Sequence, residues 1–426
     1  MAENTKPKRP PKKKEPPLTA AIKSWLTTLP PSLFDPLLSS QQPLHRDELR
    51  QSLLLTAPKR FVIYEPMALL PSGSFSSPSP WPLLFDLLSP AQKSSLWTAI
   101  LAALSHPKGP PLTHLAINEG IPLHNSGPEA ENTLRSPTGL HLLHGDFGSP
   151  TPSSPFETAL WVTTKQNSLT QTWAPVHTMF SRGNIKEKAR VLSFPPPPPP
   201  SSSSSSVPPS TKRQKERSPI SQEYAIDLYA GIGYFVFSYA KLGFRLLCWE
   251  INPWSVEGLR RGALENKFSV RIIKDPAELA KNAHDLLFSD CDHEQIVVFQ
   301  ESNIHAARRL EELRSGEREI KVKHVNCGFL PTSEPIWRDA LSLVQHGQSP
   351  EENEDEKRKR SCMLHLHENV HVKEIEGRRE EINNMFGTWC SSSKGTKAKV
   401  EHVELVKTFA PDVWHCVFDL SIITRE

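Results

Sequence analysis

The chain has 426 residues, a formal net charge of +3 and 41 prolines, which cluster instead of spreading evenly. Such a length leads to an expectation of two domains, and the near-neutral total names no partner, though it leaves room for a local basic patch. No run approaches the ~18 apolar residues of a membrane helix, no signal peptide opens the chain, and the six cysteines form no C-x-x-C pair; the expectation is a soluble, cytoplasmic protein with reduced thiols, no disulfide framework and no metal cluster.

Residues 1–17 set Lys6, Lys8, Arg9, Lys12, Lys13 and Lys14 among prolines, and no core can form there. This stretch reads as a disordered basic tail, with a nuclear-localisation patch or a non-specific RNA contact as the sharper alternatives. Residues 18–168 form an N-terminal α+β region. Leu18 to Leu29 and Ala91 to Leu104 have amphipathic helical spacing, while Arg60 to Tyr64 and Thr158 to Thr163 read as strands. His114, His124, His141 and His144 share no metal-ligand spacing and read as ordinary histidines.

The third region, 169–426, carries the chemistry. Ser181 to Asn184 reads as a turn opening a helix, with Lys186, Lys188 and Arg190 following at near-helical spacing. They form either a solvated basic face or a platform for an anion. Six prolines, six serines and a basic cluster then make 195–222 a disordered insertion that cannot pack.

Next comes Asp227-Leu-Tyr-Ala-Gly-Ile-Gly-Tyr-Phe235. A buried strand, Tyr224 to Ile226, runs into it, and Tyr234 to Leu242 reads as the helix after it. Gly231 and Gly233 allow a sharp turn and a close ligand. Phe244 to Trp249 is a second strand, closed by Glu250, which is placed to accept hydrogen bonds from ribose hydroxyls. A dinucleotide fingerprint needs a third glycine where Val236 stands. Asp-x-x-Ala-Gly-x-Gly is instead the pattern of enzymes that use S-adenosylmethionine (SAM). The expected fold is therefore α/β: a class I SAM-dependent methyltransferase-like Rossmann fold, preceded by the α+β region and interrupted by the Pro/Ser linker.

Downstream, Trp254 to Asn266 reads as a helix and the polar stretch 275–294 as an insertion. Ile296 to Phe299 reads as the third buried strand. It ends near Ser302 and Asn303, which are either adenine-side contacts or a helix N-cap. Lys323 to Pro331 reads as the fourth strand and its exit loop. Open α/β sheets bind ligands beyond the carboxyl ends of their strands, so Asn326, Pro331 and Ser333 are the candidate substrate-side residues. The charge run within 350–360 reads as a solvated loop. In Met363 to Val370, His365 and His367 share a strand face without a third ligand at metal spacing. Val372 to Phe386 reads as a helix, and Val403 to Thr408 pairs with Trp414 to Ile422 as a closing hairpin.

Met179-Phe-Ser-Arg-Gly-Asn184, the Asp227–Phe235 motif, Trp249-Glu-Ile-Asn252, His324-Val-Asn326 through Pro331, His365-Leu-His-Glu-Asn-Val370 and Val406-Lys-Thr-Phe-Ala-Pro-x-x-Trp-His415 occur in one order. Together they resemble the tRNA wybutosine-synthesising protein 2 family in its fungal form, related to the tRNA guanosine-37 N1-methyltransferases. The resemblance covers about residues 171–422 and reaches back to Lys59–Phe75. It implies transfer of the 3-amino-3-carboxypropyl group of SAM to C7 of 4-demethylwyosine at position 37 of phenylalanine tRNA (tRNA-Phe), with methylthioadenosine as by-product. It also implies that Ser181, Lys188, Glu250, Ser302 and Asn303 contact the cofactor, beside Asp227, Gly231 and Gly233 of the motif. The family more often has Asp-Asn where Ser302 and Asn303 stand. A guanosine N1-methyltransferase and a non-enzymatic RNA-binding scaffold remain as alternatives, and no residue stands out as a general base.

Overall fold

The computed structural model describes residues 15–38, 45–118, 137, 139–198, 223–288, 294–315, 320–345, 361–391 and 395–424. Residues 1–14 of the basic tail, His124, Cys291, the charged loop and all but the first four residues of the Pro/Ser insertion lie outside them; Pro17, expected in that tail, begins the first helix. The chain divides into two units: Met1–Thr164 with Pro175–His177, and Lys165–Ala174 with Thr178–Glu426.

The first unit carries a four-stranded sheet of β1 (Val62–Tyr64), β2 (Met67–Leu70), β3 (His114–Ile117) and β4 (His141–His144), in that order. Helix Pro17–Thr28 buries Leu18, Ile22, Trp25 and Leu26 at three- and four-residue spacing, the stripe of a core-facing helix. Helix Pro90–Leu104 starts at Ser89, whose side chain accepts from Gln92 N–H in a capping box, and it buries Leu96, Trp97, Ile100, Leu101 and Leu104. These side chains join Phe34, Phe75 and Trp81 in one apolar cluster. The strand expected over Thr158 to Thr163 begins later, as β5 (Val162–Gln166), because Phe156–Thr158 is a 3-10 turn. β5 pairs with β6 (Leu169–Trp173).

The second unit is built on an eight-stranded sheet. Its strands are β7 (Glu223–Asp227), β8 (Arg245–Trp249), β9 (Val270–Ile273), β10 (Ile296–Phe299), β11 (Lys321–Cys327), β12 (Ser361–His371), β13 (Thr396–Ala410) and β14 (Val413–Thr424). Their order is β13-β14-β12-β11-β7-β8-β10-β9. Pairing is parallel from β12 across to β9, and β14 runs antiparallel between β12 and β13. The central strands are apolar on both faces, as a parallel sheet covered on both sides requires. Ile226, Leu247, Trp249, Phe299 and Val325 enter one core, and Ala225, Leu246, Cys248 and Val298 the other.

Two stretches differ from expectation. β9 was not legible, because an edge strand of four residues, three of them half-buried, leaves a weak alternating signal. The polar stretch 275–294 contains two short helices, Pro276–Leu279 and Ala283–Phe288. Asp275 accepts from Ala277 N–H and so caps the first of them. Among the described residues no helix is long and apolar enough to cross a membrane, and no group of three or more His, Cys, Asp or Glu could hold a metal ion.

Candidate cofactor and substrate site

The turn after β7 folds under the end of β8. Gly231 (φ +53°) and Gly233 (φ +87°) adopt the left-handed backbone that side-chain-bearing residues resist. Glu250, half-buried at the end of β8, accepts Gly231 N–H at 2.9 Å on Oε2 and Asn252 N–H at 2.8 Å on Oε1. Asn252 in turn caps helix Pro253–Glu265 by accepting from Trp254 N–H. Burial raises the Glu250 pKa, and the backbone N–H groups pull it back. A carboxylate has about four lone-pair sites, so the backbone donors of Gly231, Asn252 and Ile251 do not fill it.

Asp227 is fully buried, and its Oδ1 accepts Tyr229 N–H at 3.1 Å. Burial lifts its pKa to about 7, against the pull of Tyr229 N–H and the Asn326 amide. Asp227 Oδ2 and Asn326 Nδ2 nevertheless complete no protein hydrogen bond. Asn303 Nδ2 donates to Leu228 O at 2.9 Å, so it fastens the end of β10 to the glycine turn, and Ser302 is the N-cap of the 3-10 turn Asn303–His305. Ser333 is buried with its hydroxyl engaged, donating to His367 O at 3.0 Å and accepting from Trp337 Nε1 at 2.8 Å. Pro331 is exposed, and its carbonyl accepts Asn369 N–H at 2.7 Å.

The segment before the insertion forms a second wall. Trp173, Phe180 and Tyr234 stack in series, with centroids 4.4 Å and 6.0 Å apart. Tyr234, the residue after Gly233, donates its hydroxyl to Met179 O at 2.7 Å and accepts Ser181 N–H at 3.0 Å. The basic stretch, read as either a solvated face or an anion platform, is not one face: Lys186 is exposed, Arg190 half-buried and Lys188 buried. Lys188 is 2 % exposed and donates to Gln166 Oε1 at 2.8 Å and Gln171 Oε1 at 2.7 Å. Desolvation lowers its pKa to about 7. Gln171 Nε2 donates onward to Gly233 O at 3.0 Å, so Lys188 reaches the glycine turn through one intermediary. The cation bonded to Ser181 is a different one: Lys407 of β13, whose Nζ donates to Ser181 Oγ at 2.8 Å.

One face of the sheet carries two polar clusters. In the first, Arg190 forms paired hydrogen bonds to Glu187 (2.8 and 2.6 Å) and to Asp419 (2.5 and 3.1 Å). His365 Nδ1 donates to Asp419 Oδ1 at 2.7 Å, which leaves His365 Nε2 to accept from His324 Nδ1 at 3.0 Å. Desolvation alone would raise the Asp419 pKa, but His365 and Arg190 hold it well below the usual carboxylate range. In the second cluster, His367 Nδ1 and His415 Nε2 share one hydrogen bond of 3.0 Å. His367 Nε2, His415 Nδ1 and both polar side-chain atoms of Asn369 have no protein partner. Register and the two-residue period put these groups on the face of Asp227 and Asn326, at the carboxyl end of the sheet where a ligand is expected. The ring of Phe235, from the glycine turn, lies 5.2 Å from that of His367. Buried polar atoms without partners are rare, and a concentration of them calls for a functional reason.

Sequence reasoning missed Gln171, Asn369, Lys407 and His415 as site residues. The last two stand in the Val406–His415 stretch and Asn369 in the His365–Val370 stretch, whose signals were motifs without a role for these residues. Gln171 carried no signal at all.

A parallel sheet with a tight glycine turn after one strand and an acid closing the next is the class I SAM-dependent methyltransferase fold. A solved Pyrococcus horikoshii TYW2 in complex with MeSAdo is similar at TM-score 0.50 and 16% identity, over 93% of this chain and 99% of that one. Tighter similarity lies in sequence. The Schizosaccharomyces pombe tRNA wybutosine-synthesizing protein 2 is 37% identical over 372 residues, 86% of this chain and 73% of that protein. The Saccharomyces cerevisiae protein of the same name is 34% identical over 427 residues, 89% of this chain and 78% of that protein. No protein-family model matches. The chain belongs to the tRNA wybutosine-synthesizing protein 2 family.

Proposed function

We propose that this chain transfers the 3-amino-3-carboxypropyl group of SAM to C7 of 4-demethylwyosine at position 37 of tRNA-Phe, a step in wybutosine synthesis. The observation that carries the reading is the Gly231–Glu250 junction: within a chain of this family, an acid at the end of β8 clasps the glycine turn at 2.9 Å and keeps lone pairs to spare. Those lone pairs suit the ribose hydroxyls, and Gly231 and Gly233 let the backbone approach the co-substrate closely. Asn303 holds the end of β10 against the turn, with Ser302 just before it; Lys188 supports the turn through Gln171; Asp227 and Asn326 offer buried polar atoms at the strand ends.

SAM supplies a sulfonium-activated carbon. The residues supply position: attack needs reacting atoms about 3–3.5 Å apart and in line, so the groups that orient the amino-acid arm decide whether that arm or the methyl group is transferred. Free thiols at Cys248, Cys327, Cys362, Cys390 and Cys416 support a reducing, cytoplasmic setting. Incubation with SAM and precursor tRNA tests the reaction. Methylthioadenosine and a base heavier by one aminocarboxypropyl group are expected; S-adenosylhomocysteine with a methylated guanosine would overturn the proposal in favour of the methyltransferase.

A further inference from the structure

Four cations lie on or beside helix Ile185–Val191, and three of them are already answered. Lys186 meets Glu404 at 2.6 Å and Leu405 O at 2.7 Å. Arg190 is held by Glu187 and Asp419. Lys188 is enclosed by two glutamine oxygens and lies 5.0 Å and 5.2 Å above the rings of Phe180 and Tyr234. Lys407 differs. Its one hydrogen bond is to a neutral hydroxyl, Ser181 Oγ, and among the described residues it has no carboxylate partner.

Lys407 is also held in place. Its alkyl chain lies against Gly183, where a Cβ would come within 2.4 Å of Lys407 Cδ and 3.1 Å of Nζ. A side chain at position 183 would push the end of the lysine aside. The side chain is half-buried, and desolvation lowers its pKa. An ammonium taken partly out of water without an acid to compensate is an incomplete electrostatic arrangement. Its position ties it to the co-substrate loop: Ser181 hangs by its N–H from the hydroxyl of Tyr234, next to Gly233. From Lys407 to the glycine turn is therefore a short chain of direct contacts.

We propose that Lys407, seated on Gly183 and bonded to Ser181, is the cation that binds the carboxylate of the co-substrate's amino-acid arm. This rests on the SAM reading above. It assigns the two lysines separate work: Lys188 supports the turn from beneath, and Lys407 orients the arm to be transferred. An ammonium has three donors and Lys407 uses one on Ser181, so it keeps N–H groups for a carboxylate; the Ser181 hydroxyl, which donates to Asn184 Oδ1 at 3.3 Å, joins it only by turning from that partner.

The test is calorimetry on the full chain with two ligands that differ in this arm, SAM and methylthioadenosine. Lys407→Gln is expected to weaken SAM at least tenfold and leave methylthioadenosine within twofold, and Lys407→Arg, which keeps the charge, to recover most of the loss. Lys188→Met, which removes the support beneath Gln171, is expected to weaken both ligands alike. Unchanged SAM affinity in a folded Lys407→Gln variant would overturn the proposal. So would equal loss of both ligands, or weakened binding of tRNA alone, which would make Lys407 a phosphate contact. A wild-type chain that binds neither nucleoside would overturn the functional reading itself, a result distinct from a variant that binds both.

Discussion

The two polar clusters on one face of the large sheet both use paired histidines, to opposite ends. Around Arg190, every charge has an opposite charge: two carboxylates bracket the guanidinium, and Asp419 also fixes the proton of His365. Around His367, a single hydrogen bond to His415 is shared between two neutral rings, and the outward atoms of both rings and of Asn369 find no protein partner. The first cluster is closed and belongs to the fold. The second is open, lies beside the glycine turn, and offers its unused hydrogen bonds where the sheet presents its strand ends. Burial by itself therefore does not distinguish a structural polar group from a functional one. Completeness of pairing does, because an unpaired buried polar atom costs about 1–3 kcal/mol that a bound partner can recover.

Breaking the closed cluster has the largest expected effect. Arg190→Met leaves Glu187 and Asp419, both buried, without their cation. Loss of one partner from such a network costs about 3–5 kcal/mol. Urea unfolding measures it; a loss below about 1 kcal/mol would mean the cluster is not closed in the sense argued.

Glu250→Ala is the corresponding change at the turn. Removing a carboxylate that serves both Gly231 and a bound ribose is expected to weaken SAM binding by about 2–3 kcal/mol, the scale of charge-assisted hydrogen bonds. Calorimetry on the folded variant decides it, and unchanged affinity would remove Glu250 from the site.

Acid sharpens the comparison further. Burial first, and then neighbouring cations or rings, lowers the pKa of His324 and His415 to about 3 and that of His367 well below its ordinary value. The unfolded chain takes up protons below about pH 6.5 that these folded rings refuse, so their contribution is present above that pH and falls away as pH drops toward about 3. Asp227, raised to about 7, and Glu250, also raised, act with the opposite sign, because the folded chain holds protons there that the unfolded chain has released. The histidines outnumber the acids, and a net loss of about 1–2 kcal/mol between pH 7.5 and 5.5 is expected from unfolding curves. Greater stability at pH 5.5 would contradict it.

The smallest expected effect on stability belongs to the open cluster. Replacing His367 and His415 together by Phe removes both partners of one shared bond and is expected to change stability by less than about 1 kcal/mol. Turnover with precursor tRNA should nevertheless fall. A double variant that keeps full turnover would show that the open cluster is idle.

The sequence by itself determined the strand–turn–helix–strand unit, since apolar runs, two glycines and a closing acid at fixed spacing admit few other folds. It singled out Gly231, Gly233 and Glu250 together, and the structure joins Gly231 to Glu250 by a direct hydrogen bond. The closing hairpin was legible from alternation, though β13 and β14 extend beyond the expected limits. What remained illegible depended on chain segments far apart in sequence. Near-helical spacing made Lys186, Lys188 and Arg190 look equivalent, yet one is exposed, one enclosed by β5 and β6 glutamines and one paired across to β14. Ser181 and Lys407 stand 226 residues apart, and no local pattern links a turn to a strand at that distance. Periodicity reports which face a side chain takes on its own element. Which groups meet on that face, and which are left unpaired there, is set by sheet order and strand register, and only the folded chain decides those.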